Sequence, residues 1–165
     1  MEVQTTHRGI LASITKVKND DALSGDLQYA FYNCANLKEI QLINTSAVTG
    51  LYMAFYKCSK LETLVEMDCG NVTSISYAFN ECWELTNMGG LKNIGKSFTF
   101  ADVINLQACE KLTHESALNL LNGLYDLRGN GITSIAPTIA FATAVFSTLT
   151  STEKAIGTNK GWIVK

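Results

Sequence analysis

The chain has 165 residues, 47% of them hydrophobic and 17% charged, with a formal net charge of -2. That length is enough for one domain with a real core, and the charged share is below the usual quarter. No Lys/Arg cluster occurs, which argues against nucleic-acid binding and against docking on anionic lipid through a basic patch.

Met1 is followed by Glu-Val-Gln-Thr-Thr-His-Arg rather than an apolar run, so no secretory signal peptide is read. No stretch approaches the roughly 18 apolar residues of a membrane span, so membrane insertion is not expected. Residues 1–26 hold a short apolar-rich run, Ile10-Leu11-Ala12-Ser13-Ile14, and then the polar stretch Lys16 to Asp21. No repeat is readable there. The expected role is an N-terminal cap, because the end of a stacked array meets water and must differ from its interior units.

A unit of 24 residues follows, written three times. The copies carry Tyr29-Ala30-Phe31-Tyr32-Asn33-Cys34-Ala35-Asn36-Leu37, Met53-Ala54-Phe55-Tyr56-Lys57-Cys58-Ser59-Lys60-Leu61 and Tyr77-Ala78-Phe79-Asn80-Glu81-Cys82-Trp83-Glu84-Leu85. A strict period in this range is the mark of a solenoid. The first part of each unit is too short for a full helix and predicts a short helix or 3₁₀ turn. The second part, as in Leu37-Lys38-Glu39-Ile40-Gln41-Leu42, predicts a short strand with alternate residues inward. Thr/Ser/Asn-rich arms, such as Thr45-Ser46-Ala47-Val48-Thr49 and Gly70-Asn71-Val72-Thr73-Ser74, lead into the next copy. One unit alone cannot bury its Leu, Phe and Cys; stacking does.

The third copy reads as decaying at Gly89-Gly90. A degenerate fourth follows through Phe98 to Leu112, with Cys109-Glu110-Lys111-Leu112 offset by three residues from strict register. Thr113 then fits an N-cap, and the apolar spacing from Ala117 to Leu127 predicts a helix over 113–128, closed by Gly129-Asn130-Gly131. Thr150-Ser151-Thr152-Glu153 matches a capping box for a short helix ending near Gly161, and Trp162-Ile163-Val164 reads as a terminal strand. Residues 113–165 thus read as a C-terminal capping module, and 1–165 as a single solenoid domain with its repeats over 27–112.

The Ala-Phe-x-x-Cys-x-x-Leu pattern with Asn-Val-Thr-Ser resembles the BspA-like leucine-rich repeat of bacterial surface proteins. The tail, from Leu112-Thr113-His114-Glu115-Ser116 through Gly161-Trp162, is similar to a closing segment that follows such repeats in proteins of gut bacteria and their prophages. The resemblance implies an α/β leucine-rich-repeat solenoid with short parallel strands, one per rung of about 24 residues, and a helical C-terminal cap. It also implies a non-catalytic module for attachment, adhesion or recognition, located at the cell surface or outside the cell. With three clear repeats and no anchor or sorting sequence visible, there is room for a phage or virion component as the alternative. There the partners are sister subunits of a phage tail or surface layer rather than a protein or glycan ligand.

The candidate binding residues fall in two groups. Glu39, Gln41, Thr63, Val65 and Asn87 lie on the solvent face of the strands and vary between copies while inward positions repeat. Tyr32 and Tyr56 belong to an aromatic set with Tyr29, Tyr52, Tyr77 and Trp83, and rings with a polar tip suit interfaces. Cys34, Cys58 and Cys82 are spaced by the repeat and read as a column of packed thiols; Cys69 lies outside it and is expected to be partly exposed. No CxxC, HExxH, GxSxG or P-loop occurs, so no catalytic residue, metal or cofactor is assigned. His114 reads as a surface residue at a helix start.

Overall fold

The computed structural model describes residues 14–18, 21–42 and 44–165. In chain order the elements are β1 (Lys16–Lys18), β2 (Ser24–Asp26), β3 (Glu39–Gln41), β4 (Ala47–Gly50), β5 (Thr63–Leu64), β6 (Met67–Asp68), β7 (Asn87–Met88), β8 (Leu91–Lys92), β9 (Val103–Leu106), α1 (His114–Gly123), β10 (Thr138–Phe141), α2 (Thr143–Thr148), α3 (Ser151–Asn159) and β11 (Ile163–Val164). The main sheet runs β1-β3-β5-β7, all parallel, and smaller parallel pairs β2-β4 and β6-β8 lie on further legs of the coil. The ladder therefore reaches back into residues 16–26, where no repeat is legible in the sequence.

The segment expected to form a short helix or 3₁₀ turn is instead a run of tight turns. Ala30, Tyr32 and Cys34 donate their N–H groups three residues back, to Leu27, Tyr29 and Phe31. The intervening Tyr29, Phe31 and Asn33 donate to the next rung, at the carbonyls of Tyr52, Ala54 and Tyr56 (3.1, 2.8 and 2.7 Å). Alternate residues thus bond locally and across rungs. A helix would spend all these donors internally and leave adjacent rungs unjoined. The geometry requires a left-handed backbone at Tyr29 and Asn33, and again at Met53, Lys57, Tyr77 and Glu81. Such residues cost about 1–2 kcal/mol each outside glycine, which the inter-rung bonds and stacked side chains offset.

The core is built in columns. Phe31, Phe55 and Phe79 stack with ring centroids 5.5 and 5.4 Å apart and nearly parallel planes. The thiols of Cys58, Cys82 and Cys109 donate to the carbonyls of Phe31, Phe55 and Phe79 (3.1, 3.2 and 3.8 Å). Cys109 therefore takes the fourth place in the column despite its three-residue offset. All five cysteines are free and buried. This corrects the expectation for Cys69. Its N–H bonds the Lys92 carbonyl at 2.7 Å, so its backbone is laddered between rungs and its side chain turns fully inward.

The third rung also continues past Gly89-Gly90, since β8 pairs with β6 in register (Met67↔Leu91). A Cβ added at Gly89 would lie 2.3 Å from the backbone nitrogen of Glu66. This glycine marks a close approach of two rungs, not the end of the stack.

The C-terminal residues close the open end. Thr113 caps α1 through the N–H of Ser116, and the Ser116 hydroxyl accepts the N–H of Met88 at 2.9 Å. The first turn of α1 thereby satisfies the edge of β7. The helix stops at Gly123 rather than 128, because Leu124 leaves it to bridge Ile94 and Tyr125 donates to the Ile94 carbonyl. The apolar spacing beyond Gly123 serves burial of Leu124 and Leu127 in a non-helical run. The Lys160 ammonium donates to the carbonyls of Leu121 and Asn122 (3.1 and 2.7 Å), completing the helix end. The sheet β11-β10-β9 lies beyond the turn runs. Buried Trp162 packs on Gly95, held at φ +95°, and donates from its indole N–H to the Tyr125 carbonyl. The capping box of Thr150 and Glu153 forms as expected.

Candidate functional site

Strand pairing brings three of the candidate residues into one row. Glu39, Thr63 and Asn87 are register partners across β3, β5 and β7, and Lys16 on β1 extends the row. The Lys16 ammonium lies 3.0 Å from the Glu39 carboxylate. Gln41 pairs with Lys18 in the adjoining row and donates its amide to Glu39. Val65 is half-buried beside it, and its N–H is bound to the Ile40 carbonyl. The Asn87 side chain accepts from the Ser116 hydroxyl at 3.4 Å, so the row ends against α1. A further ion pair, Lys38–Glu62 at 3.3 Å, flanks the row. The face is polar, nearly charge-balanced and internally paired.

Tyr32 and Tyr56 lie on the turn runs, separated in each unit from the strand residues by the buried Cys and Leu. Their rings stack at 5.3 Å. The Tyr56 hydroxyl donates to Glu81 at 3.1 Å, and this bond to the carboxylate, with some burial, pushes the phenol's pKa up. Lys57 lies 4.0 Å from the same carboxylate. Alongside, Tyr29, Tyr52 and Tyr77 form an edge-to-face chain with centroids 5.5 and 6.1 Å apart. The structure thus makes two separate surfaces from the candidate residues, one strand row and one tyrosine row.

Sequence reading missed Lys16, because the period is illegible before Leu27. It also missed two shallow depressions. One, of about 310 Å³, lies under exposed Trp83 with Glu84, Ala108, Glu110 and Lys111. The other, of about 360 Å³, is lined by Asn44, Thr45, Ser46, Glu66, Asp68 and Lys92. Both arise where side chains of successive rungs meet, which no linear motif marks. The Lys111 ammonium sits 2.6 Å from Glu84, so the one cation of the first depression is already paired.

The remaining reactive side chains are engaged structurally. Burial pushes the thiols of Cys69 and Cys109 up to about 12 and raises that of Cys82 well above its ordinary value; the neighbouring Cys34 thiol and burial raise Cys58. Thiols so protonated are poor nucleophiles, and Cys34, whose thiol pKa the hydrogen bond with Cys58 lowers, is fully buried. His114 is exposed at the start of α1, as expected, with Nε2 3.0 Å from Glu153 and Nδ1 3.3 Å from the Thr148 hydroxyl. That hydroxyl donates to the Val145 carbonyl at 2.7 Å, so the contact ties α1 to the following helices and activates nothing. Among the described residues no group of three His, Cys, Asp or Glu side chains could hold a metal ion. Among them, too, no helix is long and apolar enough to cross a membrane.

Short parallel strands, one per rung, with columns of Leu, Phe and Cys behind them define a leucine-rich-repeat solenoid with a helical C-terminal cap. Residues 11–117 match the family described as "BspA type Leucine rich repeat region (6 copies)", and the chain belongs to that family. Comparison with curated proteins and with solved structures found no match.

Proposed function

We propose that this chain is a non-catalytic recognition module that mediates attachment at a bacterial cell surface, outside the cell, or on a virion, through a protein or glycan ligand. The observation that carries this reading is the division of labour within each rung. Inward Phe, Cys and Leu repeat, whereas the in-register outward row Lys16, Glu39, Thr63 and Asn87 changes at every rung. Gln41, Val65, Tyr32 and Tyr56 complete the candidate binding surface. The stack fixes these side chains rigidly, so that several weak contacts add along it. Binding of the full chain to matrix-protein and glycan arrays tests the reading. A ligand whose affinity falls in Thr63→Arg or Asn87→Arg supports it, and silence on both arrays overturns it.

A second reading, assembly with sister subunits of a phage tail or surface layer, is favoured by the C-terminal sheet. Val103 and Ile163 lie in one register row across β9, β10 and β11, and both are exposed, as is Phe100 close by in the chain. Light scattering separates the two readings. Concentration-dependent association abolished by Ile163→Lys favours assembly, and a monomer at all concentrations removes it.

A further inference from the structure

We propose that the exposed tyrosine row holds an extended β-1,4-linked glucan chain, with alternate sugars stacked on Tyr29 and Tyr77. This rests on the recognition reading and gives it a ligand class. Tyr29 and Tyr77 occupy the same position in the repeat, two rungs apart, and share a left-handed backbone (φ 58° and 61°). Equivalent backbones set their Cα–Cβ bonds in the same direction. The two tyrosines are 37% and 48% exposed, two of the exposed large hydrophobic side chains among the described residues. The intervening position is Met53, and the ring between them comes from Tyr52, one residue earlier, set at 90° and 87° to its neighbours. The equivalent rings therefore recur every second rung, roughly 10 Å apart at one strand spacing per rung.

An extended β-1,4-linked hexose chain repeats after two sugars with nearly that rise, and equatorial hydroxyls leave each sugar a flat C–H face for an aromatic ring. An α-1,4-linked chain curls and cannot stay in step with rings set in a straight row. The row is also pre-organised, which lowers the ordering cost of binding. The Tyr29 N–H bonds the Tyr52 carbonyl (3.1 Å), and the Met53 N–H bonds the Ser76 carbonyl (3.0 Å). Charges beside the row are already engaged: Lys57 and Glu81 face each other, Glu81 also receives the Tyr56 hydroxyl, Asp26 accepts the N–H of Gln28, and Asp102 accepts from Ile75 and Ser76. An uncharged ligand suits such a surface better than an ionic one.

Isothermal titration of the full chain with cellohexaose, cellobiose and maltohexaose tests this. Cellohexaose is expected to bind, cellobiose at least about tenfold more weakly, and maltohexaose not at all. Tyr29→Ala and Tyr77→Ala should each weaken cellohexaose about tenfold, equivalent to about 1.4 kcal/mol, while Tyr77→Phe keeps the ring and most of the affinity. Both residues are exposed, and circular dichroism checks that the variants remain folded. Absence of cellohexaose binding, equal binding of maltohexaose, or alanine variants that bind like the parent overturns the proposal. If cellohexaose fails while a matrix protein binds, the glucan assignment falls and recognition stands; silence toward every probe overturns both.

Discussion

The repeat stack and the C-terminal cap solve one problem in two ways. Each rung leaves a row of backbone donors and acceptors that must be met. Within the stack the next rung meets them, as where Leu27 and Leu51 donate to the carbonyls of Gly50 and Ser74. At the third rung the equivalent N–H, of Ile75, finds the side chain of Asp102 instead, at 2.7 Å. The same buried carboxylate accepts from the Ser76 hydroxyl and from the N–H of Val103. Ser116 does the same work at the edge of β7. Repetition satisfies the backbone with backbone, whereas the cap needs individual polar side chains placed once. Damage to the stack should therefore be felt through packing, and damage to the cap through unpaired polar groups.

The largest effect is expected at the middle of the phenylalanine column. Phe55→Ala should cost about 4 kcal/mol in urea unfolding, since the ring is fully buried between two others. Asp102→Ala should cost about 3 kcal/mol by leaving the Ile75 N–H buried without a partner. Asp102→Asn should cost less, because an amide oxygen can still accept. Hydrogen exchange would sharpen the contrast: Asp102→Ala should speed exchange at Ile75 and Val103 while leaving the amides of Tyr29 and Phe31 slow. Equal acceleration at both ends would mean that stack and cap unfold as one unit.

The cysteine column should behave as core. At neutral pH a thiol reagent should label none of Cys34, Cys58, Cys69, Cys82 or Cys109 in the native chain, with labelling following the unfolding curve. Fast labelling of Cys69 in the folded state would restore the expectation of an exposed thiol. The smallest effect concerns pH. Thr150, through its backbone N–H and hydroxyl, and then His114 hold the Glu153 carboxyl below its ordinary range. A depressed folded pKa contributes stability above the unfolded value, near 4.3, which is lost as pH falls through the folded value. Glu153→Gln should flatten that acid limb of the urea midpoint and leave the phenylalanine column untouched.

The difference between the two regions also explains what was legible. The positions of Phe31, Cys58 or Leu85 follow from the period, because a buried column demands the same residue at each rung. The outward row could be placed on the strands for the same reason, although its partner Lys16 could not, since β1 has no apolar signature. Asp102 carries no sign in one dimension that it will stand in for a backbone carbonyl. The helix over 113–128 was overextended because Leu124 and Leu127 keep helical spacing while burying themselves in another conformation.

By itself, then, the amino-acid order determined the repeating unit, its inward residues, the helix caps at Thr113 and Thr150, and the family. These rest on periodicity and local hydrogen bonding, which act over a few residues. Tertiary structure alone decided that turns rather than helices link the rungs, that Cys69 is buried and that Cys109 rejoins the column. It also decided that Tyr52 sets its ring between those of Tyr29 and Tyr77. Each of these depends on which backbone groups of neighbouring rungs meet, about 24 residues apart in the chain, and no local pattern records that meeting.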